Sequence, residues 1–73
     1  MATEYDWPRG ATTKQAMLDS VHARIDYAMS HAEHLLPRLR WLQESVGALP
    51  DGDVPATEND RIWGAYSGPG RLP

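Results

Sequence analysis

Residues 12–47 read TTKQAMLDSVHARIDYAMSHAEHLLPRLRWLQESVG. Apolar side chains recur at Leu18, Val21, Ile25, Ala28, Ala32, Leu35, Leu39, Leu42 and Val46. The steps alternate between three and four residues without a break, which is the a/d spacing of a heptad seam on an α-helix. Thr12 with Gln15 three residues on matches a capping box, so the helix is expected to begin there. Gly47 can take the left-handed conformation that ends a helix, and Pro50 blocks a restart. A helix over 12–47 would be roughly 50 Å long.

Pro37 falls inside this pattern. It removes a backbone donor and crowds the carbonyl of Glu33. Either the helix breaks near Leu36 and a second helix folds back as a hairpin, or one helix bends. With Leu18 at position a, Pro37 falls at f, opposite the seam, and the register passes through it unshifted. A bend convex toward solvent is therefore the expectation. The fold class expected is all-α: one long amphipathic helix bent at Pro37, an extended aromatic arm over 1–11, and a Pro/Gly-rich tail over 48–73.

The flanking e and g positions are Met17, His22, Arg24, Met29, His31, Leu36, Arg38, Gln43 and Ser45. None is a carboxylate, so the opposite-charge pairing of a parallel dimer is missing. Met17, Met29 and Leu36 widen the apolar face instead, which suits a bundle or a groove on another protein better than a two-stranded zipper. Asp19, Asp26 and Glu33 repeat every seven residues and read as a solvated stripe. Arm and tail hold few large apolar residues. The seam, comprising the nine residues above with Met17, Met29 and Leu36, is expected to meet another protein chain, a copy or a larger partner.

The aromatic residues outside the seam read as anchors. Tyr5 and Trp7 lie in an arm that Trp7-Pro8 and Gly10 keep extended. Trp41 and Tyr27 share position c, away from the seam. In the tail, Thr57 can cap a short helix near 58–66, with Glu58 and Asp60 in its first turn. That helix would project Ile62, Trp63 and Tyr66. Pro50-Asp51-Gly52-Asp53 and Gly68-Pro69-Gly70 read as turns.

Seventy-three residues form at most one small domain. There is no cysteine to staple it. The net charge of −3 is spread thinly, and the long helix balances to zero. No basic patch is large enough to hold nucleic acid through its phosphates. No apolar run is long enough to span a membrane. The N-terminus lacks the features of a signal peptide, so a soluble protein, cytoplasmic or within a particle, is expected.

Catalytic and metal-binding patterns are also missing. His31 with His34, and Asp19 with His22, are i,i+3 pairs, but a carboxylate-bridged metal bundle needs further ligands pointing into its core. There is no glycine-rich phosphate loop and no legible nucleophile–base set. No catalytic residue, metal ligand or cofactor is expected. The function expected is a non-enzymatic structural or adaptor subunit of a larger assembly, for example a virion or complex accessory protein. The alternative is a small regulatory binder, inhibitor- or antitoxin-like, that dimerises by the helix and occludes a target with its acidic C-terminal segment.

Overall fold

The computed structural model describes residues 7–67. Tyr5 and the turn at 68–70 lie outside the described residues. Three α-helices follow one another: α1 (Lys14–His31), α2 (Leu36–Gly47) and α3 (Ala56–Ser67). A 3₁₀ turn, Glu33–Leu35, separates the first two. Two-residue strands β1 (Thr12–Thr13) and β2 (Asp53–Val54) form an antiparallel bridge, pairing Thr12 with Val54 and Thr13 with Asp53. The helical class is as expected.

The single bent helix is not what forms. Ala32 leaves helical geometry at φ −154°, ψ 60°. The chain then turns through Glu33–Leu35, where the Leu35 amide donates to the Ala32 carbonyl at 2.9 Å. Pro37 falls in the first turn of α2. There its missing N–H has no intrahelical partner to lose, whereas in a helix interior it costs about 3 kcal/mol. The fold-back that Pro37 raises as one option is therefore adopted, with the corner a few residues before the proline.

Cross-helix contacts give the register of this hairpin. His22 faces Gln43, with ring nitrogen and amide nitrogen 3.3 Å apart. The Lys14 ammonium reaches the Leu49 carbonyl at 2.8 Å and the Asp51 carboxylate at 3.3 Å. Low numbers on α1 thus face high numbers on α2, so the two helices run antiparallel about the corner. Folding back lets the seam cover itself. Met17, Val21 and Ala28 from α1 and Leu39, Leu42 and Val46 from α2 are all buried in one cluster. Leu18, Ile25 and Leu36 pack at its margin. Most of the seam is thus covered by the chain itself, contrary to the expectation of a second chain, while Leu35 and Met29 stay exposed. The molecule measures 31 × 26 × 25 Å, too short for a continuous helix over 12–47.

Magnitudes explain the choice. A straight helix would leave the seam in water. Folding back fully buries Met17, Val21, Leu39, Leu42 and Val46, each stabilising by ~1.5–3 kcal/mol. The corner gives up a few helical hydrogen bonds, each of net value near ~1 kcal/mol.

The helix ends also differ in detail from expectation. Thr13, not Thr12, caps α1: its hydroxyl accepts from the Ala16 amide at 3.1 Å. Thr12 is drawn into the bridge with Val54. Gln15 donates to Asp19 one turn on and does not reach back. Gly47 keeps a right-handed conformation inside α2, and Ala48 ends the helix. Among the described residues the positive-φ glycines are instead Gly10, at φ 74°, and Gly52, at φ 102° in the loop before β2. For Gly52 the conformation serves a contact with α1: its carbonyl accepts from the Lys14 amide at 2.8 Å, so this turn is tied to the start of α1.

Leu42 is fully buried, and Leu42→Ala should lower unfolding free energy by about 2–5 kcal/mol. Met29→Ala, at a side chain 61% exposed, should change it by less than about 0.5 kcal/mol. Urea titration followed by circular dichroism measures both.

Candidate interaction surface

α3 and the arm form a second layer over the hairpin, and one residue locks them together. Asn59 is only 1% exposed. Its carbonyl oxygen accepts from the Trp7 indole N–H at 2.7 Å. Its amide nitrogen donates to the carbonyls of Pro8 at 2.7 Å and Gly10 at 2.9 Å. Both side-chain protons and the oxygen are thus used, as burial of an amide requires. Trp7 is in turn stacked on Trp63, centroids 4.7 Å apart and planes at 15°. Trp63 meets Tyr66 at 5.2 Å and carries the Arg24 guanidinium 4.8 Å from its ring centre, a cation–π contact. Arg38 donates to the Tyr66 carbonyl at 3.2 Å.

The expected anchors therefore divide. Trp7 and Ile62 are buried in the chain's own core, and Trp63 and Tyr66 pack against it. α3 starts at Ala56, so Thr57 lies inside it, and the Asn59 amide donates to the Pro55 carbonyl. In the first turns Glu58 accepts from Arg61. That bond holds the Glu58 carboxyl below the ordinary glutamate range and raises Arg61 above its own. Whatever this pair adds to α3 is present above the ordinary glutamate range and fades as pH falls through the lowered value.

Other residues stay available at the surface. Trp41 is 43% exposed, so the described part of the tail, through residue 67, does not cover it. Met29, Leu35 and Tyr27 are exposed as well. Tyr27 stacks on His31, centroids 4.4 Å apart. Ala32 is half-buried at the corner. Tyr27 and Trp41, on one edge of a continuous helix but ~21 Å apart along it, now lie on helices of opposite direction.

Two grooves flank the hairpin, one along each edge of the seam. The first, about 270 Å³, is lined by His22, Ile25, Asp26 and Met29 from α1 and by Leu36, Arg40 and Gln43 from α2. These are the a, b and e positions of the heptad. The second, about 200 Å³, lies toward α3 and is lined by Arg24, Tyr27, Ala28, Leu35, Leu39 and Tyr66. Of the lining residues, Asp26 and Arg40 carry no sign in the sequence of an interface role. Asp26 reads there as part of a solvated stripe, and only the fold-back sets Arg40 across from it. Asn59 carries no motif that would mark it as a structural key.

Among the described residues, no three histidine, aspartate, glutamate or cysteine side chains gather as a metal site, and no helix is long and apolar enough to cross a membrane. Comparison with protein-family models, curated proteins and solved structures finds no match.

Trp7→Phe and Asn59→Ala should each destabilise the fold by about 1–3 kcal/mol, since each strands a buried polar partner. Together they should cost less than the sum of the two. A double-mutant cycle from thermal or urea unfolding reads the coupling; strict additivity would mean that the indole–amide bond does not hold the arm.

Proposed function

We propose that this chain is a non-enzymatic structural or adaptor subunit of a larger multi-protein assembly, in a particle or a soluble complex. The observation that carries this reading is apolar surface left over after the core is complete. Met29, Leu35, Tyr27 and Trp41 are large and exposed; Met29 lies beside the first groove, and Tyr27 and Leu35 lie together beside the second. Single exposed apolar residues are ordinary, but apolar residues grouped beside a groove mark a contact site. Tryptophan and tyrosine are also the residue types that dominate binding hot spots. The need for a partner is narrower than a bare seam would impose: the chain covers its own core and leaves exposed apolar residues beside both grooves of the hairpin.

The regulatory alternative needs a free C-terminal segment to occlude a target. Asn59 and Ile62 are buried against the rest of the chain, which leaves that segment less surface to offer, so the subunit reading has the better support.

Cross-linking in extracts of the native source, followed by mass spectrometry, tests the proposal. A tagged chain should carry stoichiometric protein partners. Combining Met29→Asp with Trp41→Ser should remove them and leave helicity unchanged. A wild-type chain that runs alone in such extracts would overturn the reading.

A further inference from the structure

We propose that the groove lined by Ile25, Met29 and Leu36 is the contact between two copies of this chain, related by a two-fold axis parallel to the helices. The four hairpin helices then form a bundle. This rests on the subunit reading above and names the first partner.

The groove's charges argue for a second copy. Its α1 wall carries Asp26 and its α2 wall carries Arg40. Among the described residues the ion pairs are Lys14–Asp51 and Glu58–Arg61, so both groove charges are open to an outside partner. The register set by His22 and Gln43 puts Asp26 and Arg40 at the same level of the hairpin. A two-fold axis parallel to the helices lays α1 of one copy on α2 of the other at unchanged level. Each Asp26 then meets Arg40 of the other copy, and Met29 and Ile25 meet Leu36. Such a contact is isologous and closes on itself. An axis perpendicular to the helices would instead lay α1 on α1, so that Asp26 would face the wall that carries the acid and not the one that carries Arg40. The charges select the first arrangement.

Size is consistent with a reversible dimer. With 18 residues in α1 and 12 in α2, the helices are ~27 and ~18 Å long. Packed helices are ~8–10 Å apart, so the hairpin face covers roughly 400 Å² per copy in projection. That is ~800 Å² for the two copies together, below the ~1,200 Å² of a stable specific interface and in the range of weak, transient contacts, so dissociation in the high micromolar range is expected.

Light scattering across micromolar to millimolar concentration reads the outcome. Wild-type mass should double over that range. Met29→Asp should weaken the dimer by about tenfold or more, as loss of a central apolar contact does. Asp26→Arg and Arg40→Asp should each weaken it too, because either change puts like charges into both cross-copy pairs. All three sites are exposed, so helicity should be retained. Mixing the Asp26→Arg chain with the Arg40→Asp chain should restore the doubled mass, because only the mixed dimer escapes two like-charged pairs of the kind each variant makes with itself. A wild-type monomer at millimolar concentration, a dimer that survives Met29→Asp, or no recovery on mixing would overturn the proposal. A monomer that still carries a different protein from its native source would sink the self-contact alone and leave the subunit reading standing. A dimer with no other protein partner would support the contact and count against the larger assembly.

Discussion

The closure of one apolar seam on itself is the contact that every other part of this protein leans on. Met17, Val21 and Ala28 are brought into one cluster with Leu39, Leu42 and Val46 because the chain reverses at Ala32. The reversal exchanges a few helical hydrogen bonds for several buried side chains, and at roughly 25 cal/mol per Å² of apolar surface the burial outweighs the loss. Pro37 helps by sitting where its missing donor does no harm. The open ends of the hairpin are then held together by Lys14, which reaches Leu49 and Asp51, and by the bridge between Thr12 and Val54.

A two-helix hairpin buries only one face of each helix, and a chain this small has little core to spare. The second layer enlarges that core through a polar contact as well as apolar ones. Asn59 supplies two protons and an acceptor to the arm, which fixes where Trp7 sits. Trp7 in turn sets the plane on which Trp63 stacks, and Arg24 caps that ring from α1. A buried amide of this kind is stabilising only because its partners are all supplied, and it selects one placement of the arm over others that would bury as much carbon. The arm from Trp7 onward is thus a structural part of the domain.

What is left for other molecules follows from how the heptad is used. Most a/d residues go to the core. The g edge of the hairpin is partly taken by α3, through Arg24, Arg38 and Tyr66. The b and e edge is not, and there Ile25, Met29 and Leu36 line a groove with one acid and one base across it. The apolar face, wider than a two-stranded zipper needs, is thus covered on one side by α3 and lines an open groove on the other.

The amino-acid sequence by itself determined the helical class, the positions that are apolar and their period, the helix start near Thr12–Thr13, and a short C-terminal helix around Ile62. Those are local properties: spacing, capping and turn chemistry act over a few residues. The tertiary structure alone decided whether Pro37 lies in a bend or beside a corner, because both keep the same heptad and differ only in what the seam meets. It alone decided that Trp7 and Ile62 face inward while Trp41 and Met29 face out, since an aromatic residue's partner can lie far along the chain, as Asn59 does from Trp7. The seam's period was legible, but its occupant was not: a stripe of leucine and valine records that it must be buried, and only the path of the chain says against what.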